Sequence, residues 1–400
     1  MILILFSAFL RFFRLDYPNS FVFDEVYHAF TAKEYLKGSK EAWEWWTKPP
    51  EDVAFEWTHP PLAKEIMTAS MFVLQSTDAW AWRIPGVILG LISILLIYQI
   101  ASFLFKNTTL ALFSAFVFSF DGLNFVQSRI GMNDIYFITF ALFCLLFFFK
   151  KKYFLSSVFL GLSLSSKWSA LYLYLFLFLI FTFQNHSKKI NLNFLKKLIY
   201  FLSIPPAIYL ITYIPFFTLG HNFSQFIELQ KQMFWYHTGL KASHDYSSPW
   251  WSWPFNLYPV WYFVDYHKNS ISNIFASGNI VVFYSGVVAI ILSFIEFLRR
   301  RSFALFIILA GYFVFLLPWA FSPRIMFLYH YSPSIPFLSL ALGYQLNHLY
   351  ENNSYKKYAT LLLFLILFGF LLTFPILVGI PLPKNLLEYF FLTNLTKNPF

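Results

Sequence analysis

The chain has a single cysteine, Cys144, in 400 residues. That number alone excludes disulfides, cysteine-rich metal sites and iron–sulfur clusters. Cys144 lies within Ala141-Leu142-Phe143-Cys144-Leu145-Leu146 and reads as a small apolar filler. Charge is equally scarce. Asp, Glu, Lys and Arg make up 12% of the chain, against about 25% in an ordinary soluble domain, too few to cover a soluble surface. Walker, GxGxxG, HExxH and GxSxG patterns are missing. So are repeat periods, heptad seams and low-complexity tracts, as is any inverted pair of broken helices of the transporter kind. The net charge of +10 does not imply nucleic acid, because the basic residues gather in short runs between apolar segments.

What is present is apolar and aromatic. Hydrophobic residues are 58% of the chain and aromatics 23%, with 55 Phe, 13 Trp and 25 Tyr. A bilayer span needs about 20 mostly apolar residues. Such runs fall at 1–13, 84–105, 109–127, 134–149, 153–166, 169–183, 198–218, 279–298, 303–320, 332–349 and 358–380, which predicts an all-α polytopic membrane protein with about eleven helices. Residues 1–400 read as one integral-membrane domain with two long loops, 14–83 and 219–278. Met1 to Leu10 lacks a basic leading region and reads as part of the first span rather than a signal peptide.

With the N-terminus in the cytoplasm, the cytoplasmic loops carry Lys106, Lys150-Lys151-Lys152, Lys188, Lys189, Lys196, Lys197, Arg299-Arg300-Arg301, Lys356 and Lys357. Basic residues on the other side, among them Arg129, Lys167, Lys241, Arg324 and Lys397, are never adjacent, as the positive-inside rule requires. Of the 19 acids only Glu296 and Glu351 fall on the cytoplasmic side, and many lie between Asp16 and Asp78. The polar face is therefore extracytoplasmic.

The chemistry has to come from a few polar patches. Phe23-Asp24-Glu25-Val26 opens the first loop. Val26 to Gly38 reads as a short amphipathic helix with Val26, Phe30 and Tyr35 toward the membrane, so helix capping competes with catalysis as the role of the two acids. A cap needs one acid, and the second has no obvious local partner. His59-Pro60-Pro61-Leu62-Ala63-Lys64 sets a rigid diproline between a His and a Lys, with His59 extended and Pro61 leading into a helix. Arg129, in Gln127-Ser128-Arg129 ahead of Asn133-Asp134, suits either a phosphate clamp or an interfacial arginine reaching for headgroups. Lys167-Trp168 interrupts an apolar stretch, where an ammonium is costly unless used. The second loop holds His237, Lys241, His244, Tyr246 and Ser248-Pro249-Trp250-Trp251-Ser252-Trp253-Pro254. Its aromatics fit both sugar stacking and an interfacial belt. Arg324 and His330-Tyr331 border two late spans.

Taken in order, these patches resemble the protein O-mannosyltransferase family of GT-C glycosyltransferases, most closely its bacterial branch. The resemblance runs over nearly the whole chain: Phe23-Asp24-Glu25-Val26, His59-Pro60-Pro61-Leu62-Ala63-Lys64 with Ala63 in place of Gly, Asp121-Gly122 with Gln127-Ser128-Arg129 and Asn133-Asp134, Ser166-Lys167-Trp168-Ser169, His237 to Pro254, Pro259-Val260-Trp261-Tyr262 and Tyr329-His330-Tyr331. Gly278-Asn279-Ile280 departs from the family's Gly-Asn-Pro. No soluble inserted domain fits between the spans.

The resemblance implies a GT-C fold, a polyprenyl-phosphate mannose donor, a protein or glycan hydroxyl acceptor and inversion at the anomeric carbon, on the extracytoplasmic face of a cell membrane. An acceptor hydroxyl is a poor nucleophile and needs a base, which points to Asp24, with Glu25 orienting the acceptor or tuning Asp24. Charge grows on the departing phosphate, which points to Arg129 first, then Lys167 and Lys64. Acceptor and sugar contacts are expected from His59, Asp134, His237, His244, Trp253, Arg324 and His330. No metal is required; a divalent cation would have only Asp24, Glu25 and Asp134 as oxygen ligands. The rival readings are a sibling enzyme moving aminoarabinose or another sugar to a lipid, and a transporter.

Overall fold

The computed structural model describes residues 1–185, 192–239 and 241–386. Lys188, Lys189 and Lys397, counted above among the loop cations, lie outside them. The chain forms two compact units. One comprises Met1–Tyr17, Ile97–Gln127 and Ala242–Phe400, the other Pro18–Leu96 and Ser128–Lys241.

Among the described residues four helices are long and apolar enough to cross a bilayer: Ala79–Phe105, Ile280–Arg300, Phe303–Phe321 and Lys356–Val378. Shorter apolar helices include Ile2–Phe12, Thr108–Ser119, Asn133–Phe149 and Tyr153–Ser166. Along Lys356–Val378 the side chains of Leu361, Phe364, Phe368 and Leu372 are exposed. An apolar stripe of that size is at home in lipid, not water. The chain is a multi-pass, mostly helical membrane protein.

The all-α expectation needs one correction. Within the 219–278 segment the strands β1 (Val260–Tyr266) and β2 (Ser270–Ala276) pair antiparallel, and β3 (Leu382–Pro383) adds to β2. The β1 sequence Val-Trp-Tyr-Phe-Val-Asp-Tyr is built from residues that favour pleated surfaces. Trp261 donates its indole N–H to Asn273 Oδ1 across the hairpin at 2.7 Å. Trp261, Tyr262 and Phe263 thus belong to this sheet. The same segment also contains the helix Phe223–Gly239.

The start of Ile280–Arg300 forms without the family's proline. Asn279 caps it, its Oδ1 accepting from the Val281 N–H at 3.0 Å, while its amide donates to Phe120 O and Ile366 O. Gly278 is needed for closeness of approach: a Cβ there would lie 2.1 Å from the Phe283 ring.

Candidate active site

Phe23–Val26 forms a tight 3-10 turn of its own, and the following helix runs His28–Leu36. Phe23 opens the turn at φ +49°, a left-handed backbone that costs a non-glycine residue about 1 kcal/mol. The turn leaves Asp24 half-buried and sends Glu25 fully inside. The apolar positions differ from expectation: Phe30 packs on Phe55 and Tyr35 stacks on Trp43 at 4.2 Å, so protein rather than lipid takes them.

Glu25 has the partner that local sequence did not supply. Its Oε1 accepts from Trp82 Nε1 (2.9 Å), Arg83 Nε (2.9 Å) and the Gly131 N–H (2.8 Å). Its Oε2 accepts from Arg83 Nη2 (2.7 Å) and the Val22 N–H (2.9 Å). A carboxylate surrounded by five donors cannot also orient an acceptor, so that role for Glu25 is corrected to a positioning one. It ties the turn bearing Asp24 to the turn 128–131 bearing Arg129. A Cβ on Gly131 would stand 3.3 Å from Glu25 Cγ, so glycine permits the close approach.

The diproline segment folds around a residue that sequence reasoning missed, Glu56. Its Oε1 accepts from Thr58 Oγ1 (2.6 Å) and the His59 N–H (2.9 Å) and lies 3.0 Å from His59 Nδ1. His28 Nδ1 lies 3.8 Å from Oε2. Lys64, on the third position of the helix Leu62–Leu74, donates to Glu56 O at 2.7 Å and His59 O at 3.0 Å. The expected phosphate contact from Lys64 is therefore corrected: its ammonium is buried and committed to two loop carbonyls. Burial lowers its pKa to about 8 against the opposing pull of Glu56 and Glu65. Burial likewise pushes His28 down to about 4 and His59 well below the usual imidazole range, although Glu56 pulls both upward. For Glu56 burial acts to raise the pKa, yet His59, His28 and Lys64 hold it well below the carboxylate range. A Glu three residues before a His was the available signal.

His237, on Phe223–Gly239, donates from Nε2 to Thr58 O at 2.7 Å, and its ring meets His59 edge-on at 5.1 Å and Trp168 at 6.0 Å. Lys167 bonds both oxygens of Asp134, at 2.8 and 3.0 Å. Asp134, expected among the sugar contacts, and Lys167, expected on the phosphate, form a buried ion pair with each other. Trp168 donates to Tyr209 OH at 3.0 Å. Arg129 is buried in its turn. Asp24, Glu25, His59, Lys64, Arg129, Asp134, Lys167 and His237 all belong to the one unit, Pro18–Leu96 with Ser128–Lys241.

The remaining expected residues belong to the other unit. Trp253 is fully buried, donates to Ser248 Oγ at 3.0 Å and stacks on His330 at 6.0 Å. His330 is buried, 4.2 Å from the Trp319 ring, with the Phe327 N–H donating to its Nδ1 at 3.0 Å. Direct sugar contact from Trp253 is corrected to core packing, since no face is left exposed. Arg324 is half-buried and His244 exposed, the latter edge-on to Phe327 at 5.2 Å.

Two family models tile the chain. Dolichyl-phosphate-mannose-protein mannosyltransferase matches residues 1–221, and the C-terminal four TMM region of protein-O-mannosyltransferase matches residues 222–394. Among curated relatives, the polyprenol-phosphate-mannose–protein mannosyltransferase of Mycolicibacterium smegmatis is 24% identical over 82% of this chain and 79% of its own. The Corynebacterium glutamicum enzyme of the same name is 24% identical over 71% and 70%. Among solved structures, a chain of the S. cerevisiae protein O-mannosyltransferase Pmt1-Pmt2 complex bound to the sugar donor superposes with a TM-score of 0.83 at 16% identity, covering 97% of this chain and 91% of that one. ArnT of Cupriavidus metallidurans bound to undecaprenyl phosphate gives 0.62 at 14% identity, over 86% and 59%. At such identities the structural likeness establishes the GT-C fold. The first family model covers more than half of the residues, and the chain belongs to the dolichyl-phosphate-mannose-protein mannosyltransferase family.

Proposed function

We propose that this enzyme transfers mannose from a polyprenyl-phosphate donor to a hydroxyl of a protein Ser or Thr, in one inverting step at the extracytoplasmic face of the cell membrane. The observation that carries the reading is the bolt through Glu25. It joins the Val22 N–H beside Asp24's turn and the Gly131 N–H beside Arg129's turn through one buried carboxylate. A proton acceptor and a guanidinium are thereby held on a common support, as preorganised catalysis requires. Asp24 takes the proton of the attacking hydroxyl, and Arg129 answers the charge that grows on the leaving phosphate. The Lys167–Asp134 pair lies close to the imidazoles and shapes the field around them. Single-step inversion uses no second carboxylate nucleophile.

In this reading the chain is one catalytic domain with about eleven spans, and loops 14–83 and 219–278 face outward. No metal takes part. Glu25 is held by Arg83 and Asp134 by Lys167, so these carboxylates do not make an oxygen-rich cation site with Asp24.

The test is to incubate purified protein with labelled polyprenyl-phosphate mannose and Ser/Thr peptides, then identify the product. A mannosylated peptide with inverted anomeric configuration is the expected result. Sugar delivered to a lipid, or transferred only from a donor other than mannose, overturns it.

A further inference from the structure

Glu56 and His59 form a carboxylate–imidazole pair outside the assigned base and phosphate contacts. The carboxylate approaches one particular nitrogen, Nδ1, at 3.0 Å. It is itself held by Thr58 Oγ1 and the His59 N–H. A carboxylate only accepts, so the hydrogen on Nδ1 is the one that makes this contact favourable. The imidazole then carries its lone pair on Nε2. Exposure falls the same way along the pair: the His59 side chain is 17% exposed, while those of Glu56 and His28 are 7% and 4%. His59 is the most exposed of the three.

We propose that Glu56 is a positioning residue that holds His59 in the Nδ1–H tautomer, so that His59 Nε2 accepts a hydrogen bond from a substrate hydroxyl. This rests on the mannosyl-transfer reading, in which both the sugar and the acceptor bring hydroxyls. The logic is that of a base oriented by a buried acid, here serving binding and alignment rather than the proton abstraction given to Asp24. The groups that face His59 agree with a neutral ring. Lys167, paired with Asp134, and His237 oppose its protonation, as does burial, while Glu56 alone favours it. Lys64 closes the segment from beneath through the Glu56 and His59 carbonyls, and His237 pins the Thr58 carbonyl between them. The pair is therefore built into a rigid loop.

The experiment uses the full chain in lipid nanodiscs, with ring-15N histidine and the His59 signals identified by their loss in His59→Gln. The expected spectrum shows His59 protonated at Nδ1 and bare at Nε2. Protonation at Nε2 instead overturns the proposal, and this readout does not depend on turnover. In kinetics, Glu56→Gln should lower kcat by about 10-fold, the worth of one aligned hydrogen bond. Placed in the His59→Gln background, it should cost less than twofold. A full Glu56→Gln loss in that background marks Glu56 as a merely structural residue and sinks the idea. A rise in KM of His59→Gln for the donor assigns the hydroxyl to the sugar; a rise for the peptide assigns it to the acceptor. Unchanged kcat and unchanged KM for both overturn the contact. Failure of the unaltered protein to transfer mannose would defeat the reading above, yet leave the tautomer to be read from the spectrum.

Discussion

Glu25 and Glu56 lie in the same unit, both buried, and are held in opposite ways. Around Glu25 stand a guanidinium, an indole N–H and two backbone N–H groups. Each of these donors keeps its hydrogen across the working pH range. Around Glu56 stand a hydroxyl and imidazoles that can donate or accept. The first carboxylate is a bolt between fixed donors, and the second is set among adjustable ones, imidazoles whose proton count can change. A buried acid is thus not one kind of object: its partners decide whether its surroundings carry a protonation equilibrium.

The comparison can be broken most severely next to the bolt. Asp24→Asn keeps the turn and its shape but removes the proton acceptor, and initial rates of mannose transfer should fall by about 10²–10⁴-fold. Near-normal turnover would take the base role from Asp24. Arg83→Met attacks the bolt itself. It leaves a buried carboxylate without its cation, and denaturation in detergent should show a loss of about 3–5 kcal/mol. A change of midpoint no larger than that of a surface variant would mean that Glu25 is held chiefly by its indole and backbone donors.

The adjustable side should show itself in pH. His28 is pushed down to about 4 by burial, below its unfolded value of about 6.5. The unfolded chain therefore takes up this proton first as the solution is acidified. The stability contributed by neutral His28 is full above about pH 6.5 and drains away between there and about pH 4, by at most about 3 kcal/mol. His28→Gln should flatten that part of the stability profile, and an unaltered slope would remove His28 as its source. A further effect on rate concerns Arg129, whose turn the bolt supports. Arg129→Lys should slow transfer by about 10²-fold and weaken donor binding, because an ammonium keeps the charge but loses the planar fork. Full activity with lysine would return Arg129 to the interfacial reading.

Much of the site could be read along the chain because its residues come in short, chemically unusual strings. Asp24-Glu25, the diproline between His59 and Lys64, and Lys167-Trp168 stand out against an apolar background. Their roles could not be read so directly. Glu25 read as orienting the acceptor or tuning Asp24 since its answering cation, Arg83, is 58 residues away. Lys167 read as a phosphate contact since its partner Asp134 is 33 residues away, and Lys64 since the two carbonyls that hold it belong to the backbone, which no residue type marks. Glu56 escaped notice because a lone acid in a polar loop resembles any solvated charge.

By itself the sequence determined that this is a multi-pass, mostly helical membrane chain, and it singled out a few polar strings as candidates for chemistry, because helix formation and lipid burial depend on composition over contiguous windows. Only the tertiary structure decided which charges are committed to each other. Pairing depends on distances between residues tens of positions apart, and burial makes each such pairing obligatory.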